Sequence, residues 1–517
     1  RTIVIGAGEA AERLLRESFR GDGAGLTFVG MLDDGAHTQG LQLHGVPVLG
    51  PIDQLPRFAT MYRAELLVIA IPSATGEQVR RIVSLCTETG VQFKILPSLR
   101  ELLEGQAEIN QLRDVSIDDL LGRPAVHLEL SHVRQAIAGT TVLVTGGAGS
   151  IGAELGRQIA SFAPQKLILV DQAESPLYFI HLELSALAPG VQVVPVIGDV
   201  TDAKRMDEVF QTHEPDFVFH AAAYKHVPLC EGNLAEAVRN NVLGTLQVAE
   251  CAARHNARRF VLISTDKAVN PSSIMGASKR LAERTILAWP SLTESHTDFR
   301  AVRFGNVLGS EGSVIPLFKK QLAAGGPLTV THPEVRRYFM SIPEAVQLVL
   351  QAAVLPDAAR RITMLEMGEP VRILDLAEQL IRLSGLVPYR DIKVVFTGLR
   401  PGEKLFEELT TLLESSAPTD IEKIRIVQTD GGDGANLAVG IGRLTREIAQ
   451  GHDHGIIREL RRLVPEYVPR SPVDGVTHLT LPDKPVRWPS AREESPARRP
   501  LDAALLPYPE KAQVLEA

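Results

Sequence analysis

In STDKAVNP an aspartate and a lysine stand side by side, Asp266 and Lys267, directly after the apolar run RFVLIS. That run reads as a strand, so the pair falls at a strand's C-terminal end, where doubly wound parallel sheets place their ligands. A partly dry site that raises a carboxyl pKa and lowers an amine pKa would let the two divide the roles of acid and base. An isolated Asp-Lys pair is more often a solvated turn. Its place after this strand and before a helix carrying a second lysine reverses those odds. In that helix, NPSSIMGASK sets Met275 four residues before Lys279, an i, i+4 pair on one face. A tyrosine at the first position would offer a phenol whose pKa the lysine lowers. A thioether accepts no proton at any useful pH, so Met275 offers shape and apolar surface, while Lys279 keeps its ammonium on the same face.

A glycine fingerprint precedes this pair in the chain. TGGAGSIG gives Gly146, Gly149 and Gly152 in GxxGxxG spacing between the strand pattern TVLV and the helix AELGRQIA. Glycines there permit a tight turn and a close approach of backbone N–H groups to a pyrophosphate at a helix N-terminus. Ser150 and Ile151 lie inside the turn and join the cofactor-binding set. Asp171 ends the next strand, KLILVD, where a carboxylate accepts both ribose hydroxyls of NAD and repels a 2′-phosphate, which favours NAD over NADP. Asp199 and Val200 end the third strand, where adenine contacts are expected, and Ala221 and Ala222 follow the fourth, DFVFH. A weaker fingerprint, Gly6-x-Gly8-x-x-Ala11, opens the chain, with Asp33 and Asp34 after the next strand. It fits a nucleotide-binding turn and an empty α/β turn equally well.

These motifs require α/β elements to position them. Strand and helix patterns alternate twice over, once in residues 1–125 and again from TVLVTGG onward, with a linker helix at 126–138 between. The second stretch, 139–468, holds KLILVD, VQVVPVIGDV, DFVFHAAA, RFVLIST and FRAVRFGNVLG, and RDIKVVFTGLRPGEKLFEEL adds a strand, a turn and a helix. The pattern predicts two Rossmann-like doubly wound parallel-sheet domains, the second with a smaller C-terminal substrate-binding part. Residues 469–517 are rich in proline and mixed charge and read as a poorly ordered tail. A chain of 517 residues is too long for one core. Its net charge of −8 argues against nucleic acid as a partner. Three separated cysteines argue for a reducing compartment and against a disulfide frame or a zinc site.

TGGAGSIG, HAAAYKHVP, NNVLGT, STDKAVNP, MGASK, RFGNVLGS and RPGEKL, in this order, resemble an extended short-chain dehydrogenase/reductase. More closely they resemble the large nucleotide-sugar 4,6-dehydratases of bacterial polysaccharide and glycan biosynthesis, the UDP-N-acetylglucosamine 4,6-dehydratase group. The likeness covers roughly Gly139 to Val468, and the first domain resembles the extra nucleotide-binding-like domain of the family's long members. It implies a lyase with tightly bound NAD and no metal, which oxidises C4, eliminates water across C5 and C6, and returns hydride to C6. It also implies Asp266 as the acid at the C6 hydroxyl, Lys267 as the base at C5, and Thr265 hydrogen-bonded to the C4 hydroxyl. Methionine at position 275 is a trait of that group, one that suggests retention at C5. The group that deprotonates the C4 hydroxyl stays open between Asp266 and a water relayed through Thr265. At the substrate end, Asn306 is expected near the nucleotide diphosphate. Arg400 and Glu403 of RPGEKL would meet the diphosphate and a uridine ribose hydroxyl, with Arg337 as a second cation. Lys225 and His226 could border the sugar, although His226 serves equally well as a structural residue. The resemblance further implies a homo-oligomer, cytoplasmic here and held at the bacterial inner membrane through an N-terminal region missing from this chain. A nucleotide-sugar 4-epimerase and a non-catalytic nucleotide-sugar sensor are the competing readings.

Overall fold

A computed structural model describes residues 1–20, 26–96, 112–115, 119, 130–292, 295–411, 414–428 and 434–470. The expected linker helix is present as Ser131–Ile137, and its beginning, like the tail from residue 471, lies outside the described residues. Described strands and helices alternate as the apolar runs predict, because fully buried parallel strands need continuous rather than alternating apolar residues.

The first sheet is built from β1 (Thr2–Ile5), β2 (Phe28–Leu32), β3 (Gln42–Leu43), β4 (Val46–Gly50), β5 (Leu66–Ile69) and β6 (Gln92–Ile95). Its order is β3-β4-β2-β1-β5-β6, parallel except for the β3/β4 hairpin. The second sheet begins with β7 (Thr141–Thr145), β8 (Lys166–Asp171), β9 (Gln192–Ile197), β10 (Phe217–His220), β11 (Arg259–Ile263) and β12 (Asp298–Arg303). From β9 the order runs inward as β9-β8-β7-β10-β11-β12, all parallel, then continues through Ile362–Leu365, Ile424–Gln428 and Ser415–Pro418. The last two strands are antiparallel, so the sheet is mixed at that edge rather than purely parallel. β7 and β10 meet at its centre, and the order reverses there, which opens a crevice beyond their C-terminal ends.

Both sheets belong to one compact unit, Arg1–Pro472, in which the helix Ile373–Leu383 packs on the helix Gly76–Thr89 of the first sheet. Leu383 enters the core formed by Ile3, Ile69 and Val83. The smaller C-terminal part holds the pairs Leu328–Val330/Val394–Phe396 and Arg336–Arg337/Val371–Arg372 around a core of Phe318, Leu376 and Ile381. The segment LFEEL departs from expectation: residues 401–410 form turns and irregular backbone, not a helix. Arg337 explains this, since its guanidinium donates to the Leu405 and Lys404 carbonyls at 3.3 and 2.8 Å and so takes acceptors that a helix would use. No helix among the described residues is long and apolar enough to cross a membrane.

Candidate active site

The turn after β7 is shaped by contacts that only glycine permits. Gly146 has φ +66°, and a Cβ there would lie 2.7 Å from the Ala222 nitrogen. A Cβ on Gly152 would fall 2.0 Å from the Gly146 carbonyl oxygen. Gly149 caps the helix Ser150–Ser161, Ile151 packs on the core, and the Ser150 hydroxyl accepts from the Glu311 N–H at 3.1 Å. Asp171 holds this turn as well as bordering it: its carboxylate accepts from the Ala148 and Ala173 N–H groups at 3.0 and 2.9 Å. A cavity follows, lined by Gly146, Gly149, Asp171, Asp199, Ala222 and Asn240. Asp199 is fixed in its own turn by the Thr201 N–H and hydroxyl, while Val200 and Ala221 complete the wall. Bare backbone at the helix N-terminus with two carboxylates at the rim fits the pyrophosphate and the hydroxyl-bearing ends of a dinucleotide such as NAD.

Thr265 follows β11 and caps a short 3-10 turn, Asp266–Ala268. Its hydroxyl donates to Asp266 Oδ1 at 2.9 Å, and Lys267 Nζ donates to the same oxygen at 3.0 Å. Lys267 Nζ also donates to Asn306 Oδ1 at 2.8 Å. Asp266 is 1% exposed, and its other oxygen, Oδ2, is buried with no hydrogen-bond partner. That oxygen lies against Gly305, where a Cβ would approach it to 3.1 Å, beside Tyr338 and Met367. One carboxylate oxygen is thus shared by Lys267 and Thr265, and the other has no polar partner among the described residues.

The helix Ile274–Leu292 carries Met275 and Lys279. Met275, grouped with the reacting residues by its motif position, is 3% exposed and packs among Cys230, Val238, Val242 and Leu281. Lys279 is 5% exposed; burial lowers its pKa to about 8 against the opposing pull of Glu283. No described residue accepts a hydrogen bond from its ammonium, as suits a group awaiting ribose hydroxyls. Beneath it lies His220, fully buried. Its Nε2 faces the Thr245 hydroxyl at 2.9 Å, and that hydroxyl donates to the Asn241 carbonyl. Thr245 therefore accepts from Nε2–H, and Nδ1 accepts from Thr145 at 2.7 Å. The ring is neutral, and burial, reinforced by Lys279, holds its pKa near 3.

At the substrate end the residues separate. Asn306, expected at the diphosphate, instead orients Lys267. Arg337, expected as a second diphosphate cation, is consumed by the protein: it donates to the Arg336, Lys404 and Leu405 carbonyls and to Glu403 Oε1. Arg400 is half-exposed beside Glu403, whose Oε2 accepts from the Arg400 N–H at 3.2 Å. Arg400 is the cation of this loop left available. Lys225 stands at the end of the segment leaving β10, where loss of water lowers its pKa and Glu311 opposes that.

A family model described as polysaccharide biosynthesis protein matches residues 142–429, more than half of the chain. The chain belongs to that family. A second model, described as a CoA-binding domain, matches residues 1–97. The capsular polysaccharide biosynthesis protein CapD of Staphylococcus aureus is 47% identical over 82% of this chain and 70% of its own length. The probable polysaccharide biosynthesis protein EpsC of Bacillus subtilis is 45% identical over 84% of this chain and 72% of its own. Among solved structures, that of Pen from Bacillus thuringiensis is similar with TM-score 0.52 and 30% identity, over 57% of this chain and 89% of that one. The family model and both relatives carry descriptions of polysaccharide biosynthesis.

Several residues of this site escape motif reading. Glu231 accepts from the Ile274 N–H at 2.7 Å, capping the helix of Lys279. Asn241, fully buried, accepts from the Tyr224 N–H and donates to the Ser278 hydroxyl. Asn241 belongs to a π-helical stretch, Arg239–Gly244, an irregularity that often marks functional positions and that no periodicity announces. Gly276 is the most constrained: a Cβ there would lie 2.3 Å from the Lys267 carbonyl oxygen.

Proposed function

We propose that this protein is an NAD-dependent UDP-N-acetylglucosamine 4,6-dehydratase, retaining at C5, that forms the 4-keto-6-deoxy sugar nucleotide. The observation that carries this reading is Asp266: one oxygen shared by Thr265 and Lys267, the other buried and unpartnered. An elimination across C5 and C6 needs such an acid beside a base. An epimerase acting at C4 alone has no use for the pair.

NAD, when bound, supplies the acceptor and donor of hydride. Gly146, Gly149 and Gly152 would hold its pyrophosphate, Asp171 its adenosine ribose, and Lys279 its nicotinamide ribose. Thr265 would hydrogen-bond the C4 hydroxyl while its own proton rests on Asp266 Oδ1. Once C4 is a ketone, the C5 proton is acidic, and Lys267, as the neutral amine, takes it. The C5–H electron pair forms the C5–C6 double bond as the C6–O bond breaks. The proton that Asp266 took from the C4 hydroxyl by way of Thr265 leaves with that oxygen as water. The Lys267 ammonium returns its proton to C5 once C6 is reduced, so acid and base end as they began. Arg400 would meet the diphosphate of the sugar nucleotide.

Incubation with UDP-N-acetylglucosamine in deuterated water tests this. Deuterium at C5 together with loss of the C6 hydroxyl is the expected product. Inversion at C4 without exchange would replace the reading by an epimerase, and unchanged substrate by a binding protein.

A further inference from the structure

Residues 400–408, which open with RPGEKL, are fastened at three points to residues 264–272, which open with STDKAVNP. The Ser272 hydroxyl donates to the Gly402 carbonyl at 2.9 Å. Asn270 Nδ2 donates to the Glu408 carboxylate. Between them, Lys404 Nζ donates to the Val269 carbonyl at 2.8 Å. Val269 in turn donates its N–H to the Asp266 carbonyl at 3.0 Å, closing the 3-10 turn that carries Asp266 and Lys267. Lys404 is 4% exposed, and among the described residues the Val269 carbonyl is its one hydrogen-bond acceptor. Burying an ammonium with a single neutral partner is unfavourable unless nearby negative charge offsets it.

The charges facing it come from three segments. Glu407 and Glu408 lie on its own, Asp266 on the reacting turn, and Arg470 on the segment after the last helix. Asp266 is itself faced by Lys267, by Tyr338 from the neighbouring strand pair, and by Lys404. An ammonium used merely to bridge two loops could be replaced by a neutral donor. Placed within electrostatic reach of a nearly inaccessible carboxylate, it also sets the balance between the charged and neutral forms of that carboxylate.

We propose that Lys404 is a positioning residue: its buried ammonium ties the nucleotide-binding loop to the acid–base turn and keeps positive charge beside Asp266. The sugar-nucleotide loop and the proton-transfer pair are then one mechanical and electrostatic unit. This role rests on the dehydratase reading above.

The test is the pH profile of kcat/KM for UDP-N-acetylglucosamine with the holoenzyme and its Lys404→Met and Lys404→Arg variants. Removing a nearby cation disfavours a carboxylate, so in Lys404→Met the acid limb of the profile moves upward. kcat falls about tenfold, an effect of the size set by a misplaced proton-transfer group. UDP binding, followed by calorimetry, stays within about twofold, a change below 0.5 kcal/mol. Lys404→Arg keeps the charge and leaves the limb in place. If Lys404→Met does not fold, Lys404→Gln, a neutral donor still able to reach a carbonyl, gives the same comparison. An unmoved limb in the neutral variant overturns the role of Lys404 while C5 exchange by the unaltered enzyme upholds the dehydratase. Absence of C5 exchange in the unaltered enzyme overturns both.

Discussion

Lys279 lies in the helix Ile274–Leu292 with its ammonium desolvated, its pKa drawn down from 10.5 to about 8, and no described residue to accept its protons. A lysine in that condition destabilises the protein that carries it by an amount on the order of 3 kcal/mol at neutral pH. The folded pKa is below the unfolded one, so the penalty is full below about pH 8 and is relieved between about 8 and 10.5. Lys279→Met should therefore hold or raise the melting temperature of the cofactor-free protein at pH 7 while abolishing NAD retention and turnover. A marked drop in melting temperature would show that the ammonium has a protein partner after all. Met275 shows the opposite balance. Its burial among Cys230, Val238 and Leu281 predicts that Met275→Ala lowers stability by about 2–4 kcal/mol yet leaves C5 exchange within a few-fold of the parent. Lys267→Ala should instead abolish exchange outright. Equal damage to exchange from both would return Met275 to the reacting set. The types and spacing of Asp266, Lys267 and Lys279 were legible in the sequence. The real partners of Asn306 and Arg337 were not, because they depend on residues from 39 to 68 positions away meeting in space.

At the scale of elements, the reacting turn and the helix of Lys279 are brought together through a glycine. The Gly276 Cα stands so close to the Lys267 carbonyl that a methyl group would lie 2.3 Å from it, and the opposing atom is backbone. Gly276→Ala should push the helix off the turn, lowering kcat by about a hundredfold or more, as ångström-scale misplacement does, while the variant still melts cooperatively. Loss of a cooperative melt would make the defect one of global unfolding instead. MGASK advertised a helix start, but nothing in it told that Gly276 abuts Lys267. Elements with period and punctuation, such as TVLVTGG and KLILVD, were readable because burial on both faces demands apolar runs. LFEEL looked helical by propensity and is not; Arg337 and the Arg336 N–H both draw on the Leu405 carbonyl that would open such a helix. The antiparallel strands Ser415–Pro418 and Ile424–Gln428 were likewise unread, their pairing being a property of the sheet edge they join. The two glycine turns compare instructively. Ala7 donates to Asp33 as Ala148 does to Asp171, so the acids expected to bind ribose also build the turn. Asp34, the neighbouring acid in the first domain, is held by Arg81 and the Ile52 N–H.

For the whole molecule, a polar spine lies beside β12 inside an apolar core. Arg303, 1% exposed, is gripped by Glu283 and Glu414, and Arg280 joins both carboxylates and Glu466. These pairs bind β12, the helix of Lys279 and the chain's last described segments to one another. Burial raises the pKa of Glu283, but Arg303 and Arg280 outweigh it, and the carboxyl ends below its usual range. Its stabilising contribution is therefore present above about pH 4.5 and lost only as pH falls toward the lowered folded value. His220 titrates first. Between Thr145 and Thr245 it is held neutral with a folded pKa near 3, against 6.5 in the unfolded chain. From about pH 6.5 downward the unfolded chain takes up a proton that the folded one refuses. Stability then falls by up to about 1.4 kcal/mol per pH unit, before the carboxylates of the spine are touched. Denaturant melts of the parent should decline steadily between pH 6.5 and 5, and His220→Asn, although less stable at pH 7.5, should show a shallower decline over that interval. Parallel slopes for the two proteins would mean that some other buried group governs the acid sensitivity and that His220 is protonated in the folded state.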